Sequence, residues 1–205
     1  MSIYFVGIII LAFGTSLMLE VKHLGIAPWD VLTVGLVEHF GLTFGTWNMM
    51  IGLVLVGIVS LVNRALIHIG TVMNTLLIGP MVDFYRSLEF IPVLDERWEQ
   101  YFLLIAGILL NGFGSGMYVA ARLGAGPRDG VLLTLSQKLN MSTPKTRLML
   151  ESSILIIGII IGGPFFLGTL LVSPLLGPVF SFSNTRWGKI RTGLEKSHPK
   201  LTHSF

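Results

Sequence analysis

The sequence contains no cysteine and few charged residues. Without cysteine, disulfide bonds and thiolate metal sites are excluded. Charged residues make up only 12% of the 205 residues, whereas hydrophobic residues make up 52%. This balance, together with a mean hydropathy of +0.77, excludes an average soluble domain and predicts an integral membrane protein.

Long apolar runs set the predicted number of membrane crossings. A helix needs about 20 mostly apolar residues to cross a hydrocarbon core about 30 Å thick. The first such run lacks the basic leading segment of a secretory signal, so we interpret it as part of the fold. The sequence predicts six crossings, at residues 2–20, 46–63, 70–87, 101–120, 145–162 and 164–185.

A motif in the first half of the chain returns in the second half. Leu-Gly-Ile-Ala-Pro-Trp-Asp at 24–30 reappears 99 positions later as Leu-Gly-Ala-Gly-Pro-Arg-Asp at 123–129. Duplicated units of hydrophobic spans are found in many transporters, and duplication also enlarges membrane bundles that have other functions. The predicted organisation is a first membrane repeat at 1–91, a linker at 92–100, a second membrane repeat at 101–187 and a basic cytoplasmic tail at 188–205.

Each copy has a shorter predicted helix after its first span, at residues 30–40 and 129–139. Eleven residues reach only about 16 Å, which is roughly half of the hydrocarbon core. If these helices do not cross, each copy has three spans, and an odd number of spans inverts the second copy relative to the first. The alternative is that both short helices cross, giving eight spans and two parallel copies.

Basic residues predict how the protein is oriented. In the six-span topology, eleven of the 14 lysines and arginines fall on one side and three on the other. The positive-inside rule then assigns both termini to the cytoplasm. The eight-span topology divides the same residues ten against four, so the preference for six spans rests on the length of the short helices.

The duplicated motif breaks the chain after the first span of each copy. Glycine and proline end the preceding helix, and the following aspartate is predicted to open the short helix as its N-cap. A purely structural cap is one interpretation. The other is that the broken backbone and the helix starts form a polar site for an ion or small solute where the copies meet. The break motif comprises Gly25, Pro28, Gly124, Gly126 and Pro127.

Polar side chains within or beside the spans are candidates for a substrate or ion pathway. Glu151 lies inside an apolar span, where a carboxylate must be paired, hydrated or protonated. Arg147 lies one turn earlier and is a candidate partner, and proton coupling is the alternative. Arg128 is expected near the cytoplasmic side, where it can pair with Asp129, an anionic substrate or, as we favour, lipid phosphate. The candidate residues are Asp30, Asp129, Glu151, Arg128, Asn111 and Asn74; the asparagines serve equally well as bonds between helices.

Recognisable catalytic motifs are missing from the sequence. It has no His-Glu-x-x-His run, no Gly-x-Ser-x-Gly elbow and no phosphate-binding Gly-x-x-x-x-Gly-Lys-Ser/Thr loop. We therefore expect no enzymatic activity, no catalytic residues, no metal site and no cofactor.

The two motifs, with the later Gly177-Pro178, resemble the bacterial YczE/YyaS/YitT group of membrane proteins. The resemblance extends to about residue 190 and is closest to the YczE-like members. It implies a location in the bacterial cytoplasmic membrane. It implies no mechanism and no assigned binding residues.

The leading hypothesis is an all-α membrane bundle of two inverted repeats, each with three spans and one short helix, that transports a small solute or ion. The alternative is a non-transporting accessory component that supports a partner enzyme or exporter. An intramembrane enzyme acting on lipid is the least favoured interpretation. The expected partners are membrane lipid and a small solute or ion, with a homo-oligomer as an open alternative. No nucleic acid is expected, because the basic tail fits the positive-inside rule.

Overall fold

The computed structural model describes residues 1–62, 64, 67–88, 96–124 and 126–197, apart from the side chains of 173 and 194–197. These residues form helices and connecting turns and contain no strand, which confirms the predicted all-α class. The helices are α1 (Ser2–Glu20), α2 (Pro28–Phe40), α3 (Phe44–Val62), α4 (Ile69–Ser87), α5 (Arg97–Ala120), α6 (Pro127–Lys138), α7 (Thr143–Ile160) and α8 (Leu167–Ser197).

Four of the described helices are long and apolar enough to cross a membrane. They are α1, α3, α5 and the Leu167–Gly193 part of α8. The other two predicted spans form α4 and α7, which have 19 and 18 residues but are less apolar than α1 and α3. In α4 the polar side chains of Thr71, Asn74 and Thr75 are buried in the bundle, whereas most of the polar side chains of α7 are exposed.

The most extensive helix contact joins α1 to α5 in antiparallel directions. Gly7 lies against Gly114 and Gly14 lies against Gly107, so residue numbers rise along one helix as they fall along the other. A Cβ added to Gly14 would lie 2.8 Å from the carbonyl oxygen of Gly107. In lipid no hydrophobic force drives helices together. Association depends instead on close packing of the backbones, which small residues allow.

Some helix contacts occur in matched pairs across the two halves, although among the described residues the packing of α3 on α4 has no such counterpart between α7 and α8. As α1 packs on α4, α5 packs on α8, and as α2 packs on α7, α6 packs on α3. The breaks after α1 and α5 are matched as well. The N–H of Gly168 at the start of α8 donates to the carbonyl of Leu24 at 3.0 Å, and the N–H of Gly70 at the start of α4 donates to that of Leu123 at 3.0 Å.

Glycine is required immediately after each of those two carbonyls. Gly25 has φ +134° and Gly124 has φ +139°, and residues with a Cβ rarely adopt this backbone conformation. A Cβ on Gly25 would also collide with the backbone of Gly168 and Thr169. The glycines of the break motif therefore let each loop lie directly on a helix start from the other half.

The two short helices begin earlier than predicted. Pro28 and Pro127 occupy the first turn, Ala27 and Gly126 are the N-caps, and no side chain caps either helix. The prediction that Asp30 and Asp129 are N-caps is therefore wrong. Proline has the φ of the first helical position and needs no N–H partner there, so each helix starts at proline and leaves its aspartate in the first turn.

The predicted linker and tail are described only in part. Residues 92–95 of the linker lie outside the described residues, and residues 97–100 already belong to α5. Residues 188–197 of the tail continue α8, whereas residues 198–205 lie outside the described part of the chain. The division into two repeats stays a prediction.

Replacing Gly14 with alanine tests the α1–α5 crossing. The added methyl group would meet backbone atoms of Gly107 and Asn111, which cannot move aside as a side chain can. We expect a loss of about 1–3 kcal/mol in unfolding free energy, measured by SDS or thermal denaturation of the purified protein. Gly57 is the matched control, because a Cβ there meets nothing within 4 Å. An equal effect of Gly57→Ala and Gly14→Ala would contradict the proposed role of the crossing.

Candidate functional site

A polar cavity of about 260 Å³ lies between the two halves of the bundle. All six candidate pathway residues, Asp30, Asp129, Glu151, Arg128, Asn111 and Asn74, line it. Pro28, Gly126 and Pro127 of the break motif line it too. Gly25 and Gly124 instead hold the two loops against α8 and α4. The structure therefore brings together residues that are as much as 121 positions apart in the sequence, from Asp30 to Glu151.

The starts of α2 and α6 meet at this cavity. The guanidinium of Arg128, at the start of α6, lies 3.6 Å from the carboxylate of Asp30, at the start of α2. The Asp30 side chain is only 7% exposed, so its charge is shielded from water and depends on this cation. One ion pair therefore joins the two half-length helices at their N-terminal ends.

Among the described residues, the ion pair, the hydrogen bond and the ring contact of Arg128 join it to the first half of the chain. Besides the carboxylate of Asp30, its Nη2 donates to the Oδ1 of Asn48 at 2.7 Å. Its guanidinium carbon also lies 5.2 Å from the centre of the Trp29 ring, a cation–π distance. Arg128 thus lines the cavity and forms an ion pair with Asp30, a partner that was not among the predicted ones, Asp129, lipid phosphate and an anionic substrate.

The second aspartate has an arginine partner of its own. Arg147 of α7 lies 3.4 Å from the carboxylate of Asp129. This contact corrects the predicted pairing of Arg147 with Glu151, since Glu151 forms no ion pair or hydrogen bond with any described residue. The one-turn spacing is compatible with a pair between Arg147 and Glu151, but the guanidinium of Arg147 pairs with Asp129 on the neighbouring helix instead.

Neutral polar groups complete the cavity wall. Asn111 Nδ2 donates to the hydroxyl of Thr15 at 2.8 Å, which links α5 to α1. Asn74 is 6% exposed, and its Nδ2 has no hydrogen-bond partner in the described part of the chain. Of the two asparagines, one therefore bonds helices together and the other presents a free donor.

Gly126 opens the space next to Asn74. A Cβ on Gly126 would lie 2.9 Å from the hydroxyl oxygen of Tyr118, 3.5 Å from Asp129 Oδ2 and 3.6 Å from Asn74 Oδ1. The phenol, the carboxylate and the amide therefore surround the same point. Sequence reasoning missed Tyr118, because a tyrosine near the end of an apolar span is typical of an interfacial anchor.

Carboxyl groups outnumber guanidiniums on the cavity wall. Asp30, Asp129 and Glu151 contribute three carboxyl groups, and Arg128 and Arg147 contribute two guanidiniums. Among the described residues, no group of three histidine, aspartate or glutamate side chains is arranged to hold a metal ion. The arrangement can bind a small polar or charged molecule.

Comparisons with known proteins identify the family of this chain. The family of unknown function DUF6198 matches residues 1–185. No solved structure matches the chain significantly.

Three relatives cover most of the chain. The uncharacterized membrane protein YczE of Bacillus subtilis is 41% identical over 182 residues, which are 89% of this chain and 84% of YczE. An uncharacterized protein of Haemophilus influenzae is 30% identical over 181 residues, 88% of this chain and 81% of that protein. The uncharacterized protein YyaS of Bacillus subtilis is 27% identical over 175 residues, 85% of this chain and 87% of YyaS.

These matches confirm the resemblance to YczE and YyaS that the motifs predicted. With four helices that are able to cross a membrane and a family match over most of its length, the chain is a helical membrane protein that belongs to the DUF6198 family.

Proposed function

We propose that the protein is a transporter of a small solute or ion, with the polar cavity as its substrate site. The observation that carries this proposal is that six polar residues from five helices and both halves of the chain line one cavity. Polar and ionised residues are costly inside a membrane bundle and are found where a substrate or ion passes. The proposal assigns binding and passage to the cavity and no covalent chemistry.

An inverted relationship between the halves is part of the proposal. The first helices of the two copies, α1 and α5, run antiparallel at their crossing. The hydrogen bond from Gly168 to Leu24 has its counterpart in the bond from Gly70 to Leu123. Inverted repeats that surround a central site are common in transporters, where rocking of one repeat against the other exposes the site to each side in turn.

The lengths and contacts of the short helices support a re-entrant position. α2 has 13 residues and α6 has 12, which correspond to about 20 and 18 Å, less than a core of about 30 Å. Both begin at the cavity, and α2 ends where Glu38 contacts Lys22, just after α1. Such a helix runs from the middle of the bundle to one end only, which agrees with six spans and two half-helices.

Helix starts suit a site of this kind. Each helix N-terminus carries the equivalent of about half a positive charge and free N–H groups. Discontinuous helices in transporters direct these ends at the substrate. In this chain the two N-termini lie on the cavity, and Asp30 and Asp129 occupy the first turns, so a substrate meets both backbone dipoles and carboxylates there.

The proposed location is the bacterial cytoplasmic membrane, with both termini in the cytoplasm. The support is the division of basic residues, eleven against three, under the positive-inside rule. In this orientation α2 runs from the cavity toward the outside and α6 runs toward the cytoplasm.

Labelling of single cysteines tests the orientation and the re-entrant helices together. The chain has no cysteine of its own, so Phe40→Cys at the end of α2 and Leu139→Cys just after α6 are the unique thiols in their variants. Both positions are exposed. A membrane-impermeant maleimide added to intact cells should label Phe40→Cys and leave Leu139→Cys unlabelled until the cells are opened. Labelling of both, or of neither, from outside would contradict inversion.

Flux into proteoliposomes tests transport and the site. Sodium, potassium, ammonium, small amines and amino acids are added singly, and uptake or current across a supported membrane is measured against empty liposomes. The combined Asp30→Asn, Asp129→Asn and Glu151→Gln variant should reduce the wild-type flux at least about tenfold, a change of about 1.4 kcal/mol, because it removes all three cavity carboxylates.

Glu38→Gln is the matched control for flux. Glu38 is an acidic residue paired with Lys22 at an exposed position away from the cavity, and its variant should transport at the wild-type rate. Equal flux from the triple variant and the wild type would contradict the assignment of the cavity as the substrate site. Flux no greater than that of empty liposomes for every solute would contradict the proposal that the protein is a transporter.

A further inference from the structure

Two groups on the cavity wall have no partner in the described part of the chain. One is Asn74 Nδ2, a buried donor that meets no acceptor in good hydrogen-bond geometry, although the Tyr118 hydroxyl lies near this side chain. The other is the partly exposed Glu151 carboxylate, which lines the same cavity without an ion pair or hydrogen bond. A buried polar group without a partner costs free energy, and a carboxylate in a membrane bundle needs pairing, hydration or protonation. An occupant that supplies one acceptor and one cationic donor meets both needs.

The charge of the cavity indicates the sign of that occupant. The contacts of Arg128 with Asp30 and of Arg147 with Asp129 leave two of the three carboxylates paired. Glu151 is therefore the carboxylate that is left without a guanidinium. A ligand with a positively charged group supplies that missing partner, whereas an anion beside Glu151 would meet a like charge.

The size of the cavity limits the ligand. Its volume of about 260 Å³ lies below the range of roughly 300–1,000 Å³ that is typical of pockets for drug-sized molecules. An amine of a few carbon atoms fits this space.

On the basis of the proposed function, we infer that the substrate class is a small organic ammonium that carries one positive charge and one hydrogen-bond acceptor. The ammonium group binds at Glu151, and the acceptor receives the free N–H of Asn74. An inorganic cation satisfies Glu151 but offers no acceptor to Asn74. A proton on Glu151 likewise leaves the amide without a partner.

Three uncharged or singly charged probes of similar size test this inference. Glycinamide has an ammonium and a carbonyl, ethylammonium has only the ammonium, and acetamide lacks the charge. Binding to the purified wild-type protein in detergent micelles is measured by isothermal titration calorimetry. Glycinamide should bind at least about tenfold more tightly than either of the others, because each lacks one charge-assisted or buried hydrogen bond.

Two isosteric variants assign the two contacts. Glu151→Gln should weaken glycinamide binding at least about tenfold and leave acetamide binding unchanged. Asn74→Leu removes the donor without adding a charge and should abolish the preference for glycinamide over ethylammonium. Glu38→Gln and Asn140→Leu are the matched controls, since both change exposed residues away from the cavity. They should bind all three probes as the wild type does.

The wild-type series decides the inference even if a variant fails to fold. Absence of glycinamide binding, or equal or tighter binding of ethylammonium or acetamide, would overturn it. Glycinamide binding without flux into proteoliposomes would overturn transport and leave this inference standing. Flux of an anion that is lost in the triple cavity variant would support transport and overturn this inference.

Discussion

The backbone contact between α1 and α5 is the interaction on which the rest of the arrangement depends. Gly7, Gly14, Gly107 and Gly114 let the two helices touch over two turns. This approach brings Thr15 within hydrogen-bond distance of Asn111 and Tyr4 next to Tyr118. Helices held further apart could not share these side chains, and the polar cavity beside them would lose one of its walls.

The sequence predicted the all-α class and long apolar helices, and it identified six polar residues that line one cavity, whose role as a pathway stays a prediction. Six polar residues were selected because charge and amide groups are expensive in apolar surroundings, and that cost is a property of each residue's own neighbourhood in the chain. The same reasoning could not assign partners. Glu151 lies one turn from Arg147 on the same helix, but the guanidinium of Arg147 pairs with Asp129 of α6. Only the packing of α6 on α7 brings Asp129 close enough to form this pair.

The N-caps show a similar division between local and tertiary information. Glycine and proline correctly marked where α1 and α5 end and where the chain turns. Both capping by aspartate and initiation by proline are compatible with the residues at 28–30, and the choice depends on where the loop is held. The hydrogen bond of Leu24 to Gly168 fixes that loop, and its partner lies 144 positions away. Tyr118 was missed for the same reason, because only the neighbouring Gly126 and Asn74 distinguish it from an interfacial tyrosine.

The reciprocal hydrogen bonds at the two breaks affect the order in which the protein can mature during synthesis. The carbonyl of Leu24 is among the first backbone groups to leave the ribosome, yet the N–H that satisfies it belongs to Gly168. Until α8 has been made, the N-terminal half holds an open backbone acceptor beside the start of α2. The last helix therefore completes the first loop, and a nascent chain that stops short of it leaves both halves unfinished.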